Sequence, residues 1–165
     1  MSSSNDHGNL PAPAPTDFSK PFWDGAKQKK LLLQYDPEAQ RYQFFPRPIS
    51  IYTGKRNLEW REAAGTGSVF AFTIVHRASS PAFAPLVPYV VASVTLDEGV
   101  RILGRLINVD AQDVRVGLPV RVAWEARGET PHQLAAAQHP DPAQRIQHSE
   151  RGRLHQQNIA HVDRQ

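Results

Sequence analysis

The chemistry-bearing groups of this 165-residue chain are few, and their spacing says what they do not do. Asp97 and Glu98 are adjacent in the segment LDEG, a tight-turn signal where acids are ordinarily solvated rather than arranged as an acid/base pair. His76 ends an alternating stretch beside Arg77 and is the only histidine between residues 17 and 126. The chain has no cysteine, so it lacks a thiolate nucleophile, and no serine occupies a G-x-S-x-G elbow. Five of the seven histidines (His132, His139, His148, His155 and His161) crowd the last third. Their spacings of seven, nine, seven and six do not bring a ligand set to one helical face, which needs three or four. Residues 34–54, QYDPEAQRYQFFPRPISIYTG, hold two short knuckles flanking an aromatic hairpin. That is the layout of a small metal-binding ribbon, without a plausible set of zinc ligands.

The elements that position these groups follow from hydrophobic periodicity. Residues 1–16 are small, polar and Pro-rich, and read as a disordered leader. Residues 17–30 read as a short helix, capped by Thr16 or Asp17, with Phe18, Phe22 and Trp23 as its apolar stripe and Gly25 as a terminator. LLLQY (31–35) and RYQFFP (41–46) read as strands within a ribbon over 31–57. LEWREA (58–63) begins a second unit, 58–126. There TGSVFAFTIVHRA, PYVVASVTL and VRILGRLINV are rich in β-branched residues, and a final strand carries Val120, Val122 and Trp124. The last two of those three runs meet at DEG as a hairpin. About five strands with short connections predict an all-β chain with a small N-terminal helix: a degenerate rubredoxin-like ribbon followed by an OB-fold barrel. Residues 127–165, rich in Gln, His, Arg and Ala, read as a flexible tail.

Composition narrows the class. No apolar run approaches a bilayer span, no secretory signal opens the chain, and the absence of cysteine favours a cytoplasmic setting. Net charge is only +3 and the acids are interspersed with the bases, a weak nucleic-acid signal.

FWDGAKQKKLLLQ, FFPRP, AAGTGSVFAFTIVHRA, PYVVASVTLDEGVRILGRLINVD and VRVGLPVRVAWE, in that order, resemble the bacterial and archaeal family of acyl-CoA-associated zinc-ribbon and OB-fold proteins, domain of unknown function 35. The resemblance runs from Phe22 to Glu125. It implies a non-catalytic, scaffolding subunit of a thiolase-fold enzyme that acts on acyl-CoA by acyl transfer, condensation or retro-aldol cleavage. The family's ribbon binds one zinc through two C-x-x-C knuckles, and the matching positions here are Asp36, Ala39, Ser50 and Thr53. Alanine has no donor atom and the others offer hard oxygens, so zinc is expected to be absent. Burial of Tyr35, Tyr42, Phe44, Phe45, Ile49, Ile51 and Tyr52 is expected to replace its stabilising role, with Asp36 and Ser50 bonding the turn amides. The family also continues past the barrel with an apolar strand-like segment that is not evident here.

The resemblance makes Phe22, Trp23, Arg47, His76, Arg77, Phe83, Leu86 and Tyr89 the candidates for contacting the partner or a CoA thioester bound by the complex. The loop SSPAFAPLVP lies in an uncharged stretch from 78 to 96 and displays Phe83 and Leu86, either as an anchor for a larger protein or as a lid folded over the barrel. Arg47, held extended between prolines, is placed to meet a phosphate or to form a surface ion pair. His76 is expected to be structural, at an interface, or beside a partner's acyl pocket. A nucleic-acid-binding barrel and a free-standing acyl-CoA or lipid carrier are the competing functions. The first would need alternating aromatic and basic residues on the outer strands, where 88–96 and 100–109 offer one tyrosine, Arg101 and Arg105.

Overall fold

The computed structural model describes residues 10–11, 14–127 and 130–137. Its elements are helix α1 (Lys20–Lys27) and strands β1 (Leu32–Asp36), β2 (Arg41–Gln43), β3 (Glu59–Glu62), β4 (Thr66–Val75), β5 (Tyr89–Leu96), β6 (Arg101–Ile107), β7 (Pro119–Arg127) and β8 (Thr130–Ala137). Single 3-10 turns at Pro81–Leu86 and Ala111–Asp113 interrupt the connections. The fold is all-β with a small helix, as the periodicity predicts: a three-stranded ribbon, β2-β1-β3, and a closed barrel, β4-β5-β6-β8-β7. Among the described residues, no helix is long and apolar enough to cross a membrane.

The barrel core is built by strict alternation. In β5 every second residue, Val90, Ala92, Val94 and Leu96, is buried, and Ile102 and Leu106 of β6 lie beside them. Val69, Val100, Val114, Leu118 and Val120 join them, and Phe22, Leu31 and Leu33 extend the same cluster toward the helix and ribbon. The closing contact between β4 and β5 requires Gly67, because a β-carbon there would stand 2.3 Å from the Thr95 carbonyl oxygen.

Four expectations are corrected. The strand over 58–63 belongs to the ribbon, not to the barrel: β3 pairs antiparallel with β1 from Leu32↔Glu62 to Tyr35↔Glu59. Its half-buried Trp60 packs against the core between exposed neighbours. Gly25 does not end α1. It is buried within the helix, and a β-carbon there would meet Leu32 Cγ at 2.7 Å, so the glycine permits close helix–strand packing. The helix starts at Lys20 rather than at 17, and its N-cap is Ser19, whose side chain bonds back to Thr16.

The largest difference is β8, where a flexible tail was expected. It pairs antiparallel with β7 from Arg127↔Thr130 to Val120↔Ala137 and parallel with β6 at Leu106↔Ala135 and Ile107↔Ala136. TPHQLAAA lacks β-branched and aromatic character beyond its threonine. A strand clasped on both sides needs no such propensity, because its backbone bonds are made by neighbours that already exist. It stands where the resembled family continues past its barrel. His139, His148, His155 and His161 lie outside the described residues, as do most of the residues expected to form the leader; Leu10, within that leader, is buried.

Candidate functional site

The ribbon's knuckles are organised around a buried carboxylate. Asp36 is fully shielded at the end of β1. Its Oδ1 accepts the amides of Glu38 (2.8 Å) and Ala39 (3.0 Å), and its Oδ2 accepts the hydroxyls of Ser50 and Thr53, the latter at 2.8 Å. Ser50 Oγ in turn accepts the amides of Tyr52 (3.0 Å) and Thr53 (3.2 Å). The carboxylate thus bonds both knuckles. The Ser50 hydroxyl bond, seconded by Ala39, Thr53 and Glu38 and opposed by burial, holds its pKa down to about 2.

The four positions that resemble zinc ligands therefore converge in space, but they do not fit zinc. Ala39 has no side-chain donor, and all four bonds at Asp36 are accepted from N–H or O–H groups. Among the described residues, no cluster of three or more His, Cys, Asp or Glu side chains is present.

Ring burial is not what holds the knuckles. Phe45, Ile49 and Ile51 are 63%, 41% and 55% exposed, and Tyr35, Tyr42, Phe44 and Tyr52 are only half-buried. The buried groups are polar. Gln34 on β1 and Gln43 on β2 face each other in register, and Gln43 Nε2 donates to Gln34 Oε1 at 2.9 Å. Gln34 also bonds the Arg47 carbonyl and amide, each at 2.8 Å, and Gln43 bonds the Ile49 carbonyl (3.2 Å) and the Ile51 amide (2.9 Å). Two amide side chains thus act as an extra rung of sheet and stitch residues 47–51 to the ribbon.

That stitching sets one wall of a cleft of about 570 Å³ between α1, the ribbon and the barrel. Phe22, Trp23, Phe44, Phe45, Phe83 and Tyr89 line it, and its floor is Val91, Leu103, Gly104 and Arg105 on the outer face of β5 and β6. Four rings form a chain, with Phe22–Trp23 centroids 5.0 Å apart, Phe22–Phe44 5.7 Å and Phe44–Phe45 4.5 Å, and Phe83 and Tyr89 form a pair at 6.1 Å. Phe22 is buried and serves the core as well, while Trp23, Phe83 and Tyr89 are half-buried. Among the described residues, Arg105 is the single charged residue of the lining, and it is ion-paired to Glu125 with both side chains largely shielded.

Four of the eight candidate contact residues, Phe22, Trp23, Phe83 and Tyr89, thus meet in one place. The other four do not join them. Arg47 is exposed one residue past the cleft wall, with its backbone held by Gln34. Leu86 is half-buried in the 3-10 turn that carries Phe83, outside the cleft lining. His76 and Arg77 are exposed at the far end of β4, where His76 borders a separate hollow of about 500 Å³ with Ile74, Pro88, Asp110, Ala111 and Gln112. Sequence reasoning missed Leu103, Arg105 and the two glutamines. Leu103 was findable, because it falls on the outward phase of β6 between Arg101 and Arg105 and remains 58% exposed. Gln34 and Gln43 carried no signal until the β1–β2 register was known.

Residues 60–125 match the family model described as the C-terminal OB-fold domain of ChsH2. A DUF35 domain-containing scaffold protein of Pyrococcus furiosus is 32% identical over 101 residues, 61% of this chain and 74% of that relative. The chain belongs to the DUF35 family. A probable enoyl-CoA hydratase alpha subunit of Thermomonospora curvata is 35% identical over 104 residues, 62% of this chain, but the match covers only 32% of that relative. The solved structure described as the Ltp2-ChsH2(DUF35) aldolase contains a chain 31% identical to this one, with a TM-score of 0.69 over 76% of this chain and 98% of that one. The DUF35 chain here spans about a third of the length of its hydratase-type relative and most of the length of its scaffold-type relative.

Proposed function

We propose that this DUF35 chain is a scaffolding subunit of an enzyme acting on acyl-CoA, and that it supplies surface rather than covalent chemistry. The observation that carries this is the aromatic cleft and what adjoins it. Leu103 on its floor and Phe45 on its rim are more than half exposed, in a lining made mostly of apolar and aromatic side chains. Relatives named as scaffolds, as a hydratase subunit and as part of an aldolase support the reading. The partner proposed is a thiolase-fold enzyme, with Phe83 and Trp23 anchoring it across the cleft and the CoA thioester held by the complex. The ribbon serves as the rigid wall of that surface, and it is proposed to do so without zinc.

The test is co-expression with the thiolase-fold enzyme of the same host, followed by affinity co-purification and an acyl-CoA cleavage or condensation assay. Co-purification that raises the enzyme's turnover and is abolished by Phe83→Asp supports the reading. An enzyme that is fully active alone and does not retain this chain overturns it. The cleft volume also suits a free-standing carrier, so acyl-CoA should be titrated against the isolated chain; saturable binding without any enzyme would favour that function.

A further inference from the structure

The half of β4 after its bulge is an unguarded sheet edge. Thr66, Gly67 and Ser68 pair with β7, and Val69 exchanges backbone bonds with Leu118 and Gly117. From Ala71 to Val75 the strand pairs with β5 on one side, and no described residue pairs with it on the other. Alternate N–H and C=O groups of this stretch therefore point away from the barrel. Its sequence, FAFTIV (70–75), holds no charge, proline or glycine, the devices by which single chains usually blunt an edge. Phe70 and Phe72 are 47% and 37% exposed, and Val116, which flanks the fork between β4 and β7, is 65% exposed.

The charges around this edge differ at its two ends. At the Phe70 end, Arg101 lies 3.4 Å over the Phe70 ring, and exposed Arg115 stands two residues before Gly117. At the Val75 end, Asp110 borders the hollow with Ile74 and His76, Asp113 follows on the same 3-10 turn, and Arg77 is the cation. One end carries two positive charges; at the other, Asp110 and Asp113 outnumber Arg77. An antiparallel copy of the same strand would bring each end against its opposite.

We propose that β4 pairs across a two-fold axis with β4 of a second copy of this chain, residues 71–75 against 75–71, joining the two barrels into one continuous sheet. The occupant is a second copy because this segment offers, on the same strand, an uncharged β-forming run and complementary ends in reversed order. Phe70, Phe72 and Val116 are covered in the pair, and the two aromatic clefts remain on the outer sheet face, so the dimer presents both to larger partners. The scaffolding function is not needed for this inference.

The full chain should therefore show a reversible monomer–dimer equilibrium on dilution in sedimentation velocity, with a dissociation constant on the order of micromolar for so small an interface. Hydrogen exchange at the amides of 71–75 should slow with rising protein concentration. Thr73→Lys, at an exposed position, should give a folded monomer. Asp110→Arg and Arg115→Asp should each weaken the dimer roughly fivefold, and the double variant should recover most of that loss. The concentration-dependent exchange needs no variant, so misfolding of one does not spare the proposal. A chain that stays monomeric at every concentration overturns it, as does a dimer in which 71–75 exchange freely. Protection of 71–75 only when a partner enzyme is added also overturns it, and assigns the edge to that enzyme. Loss of enzyme scaffolding with the dimer intact would refute the function proposed above and leave this pairing standing.

Discussion

Removing one hydroxyl from the Asp36 centre should measure what that carboxylate contributes to the ribbon. Thr53→Val keeps the shape of the side chain and deletes a single donor, the 2.8 Å bond to Oδ2, leaving Ser50 and the two amides in place. A hydrogen bond to a charged group contributes about 1.5–3 kcal/mol. Ser50→Ala deletes more, because Ser50 Oγ both donates to the carboxylate and accepts the Tyr52 and Thr53 amides, and should cost about 2–4 kcal/mol. At roughly 3–5 °C per kcal/mol for a domain of this size, Tm should fall by about 5–15 °C for Thr53→Val and by more for Ser50→Ala. The assay is thermal unfolding followed by Trp60 and Trp23 fluorescence, because Trp60 sits on the ribbon strand β3 and Trp23 on the neighbouring helix. Acid should then reproduce the loss. The Asp36 pKa is depressed in the fold, so its stabilising contribution is complete above the ordinary carboxylate range near 4 and disappears as pH falls toward about 2. Both substitutions raise the pH at which the ribbon melts. If Thr53→Val leaves Tm unchanged and the acid transition unmoved, the carboxylate is not the centre of the module.

Three further outcomes follow from the same geometry. Chelation by excess EDTA should leave Tm unchanged, whereas a fall of the size given by losing a structural zinc would restore the metal to the ribbon. Glu125→Gln strands the Arg105 guanidinium, already without an acceptor at Nε, and should destabilise the chain by about 2–3 kcal/mol in denaturant titration. Gly67→Ala drives a methyl group into the Thr95 carbonyl and should yield little folded protein in circular dichroism, while Gly54→Ala, with open space around its β-carbon, should cost only its left-handed backbone strain, about 1 kcal/mol.

The barrel was legible because its strands obey one rule at a time. β5 buries every second side chain, and a period of two reads directly as a half-buried strand. β8 was illegible for the opposite reason: its backbone is recruited by β6 and β7, so nothing in TPHQLAAA needs to announce it. The site divides along the same line. Phe22, Trp23, Phe83 and Tyr89 are large aromatic residues, which a sequence displays. His76 and Leu86 share that prominence yet fall outside the cleft, because their direction is set by where β4 and the 3-10 turn end. In the ribbon, the bonds of Asp36 and Ser50 to the turn amides were legible, but the glutamine pair was hidden. Glutamine reads as surface, and only the Gln34↔Gln43 register turns two such residues into a buried rung.

The knuckle chemistry bears on why an exposed ribbon keeps its shape. A zinc site gains its rigidity from four strong ligand bonds, and its stability depends on metal supply. Here one carboxylate accepts four hydrogen bonds from both knuckles, and two glutamines fix residues 47–51 through four backbone bonds. Every partner is carried by the chain, so the wall of the cleft is present whenever the chain is folded. The same network explains the exposure of Phe45, Ile49 and Ile51. With polar bonds holding the loop, these apolar side chains are not needed inside and remain available outside. Replacing Ile51 by Ser should therefore leave Tm nearly unchanged while weakening attachment to a partner enzyme. A large loss of stability with attachment intact would place Ile51 in the core after all, and would return the ribbon to conventional hydrophobic support.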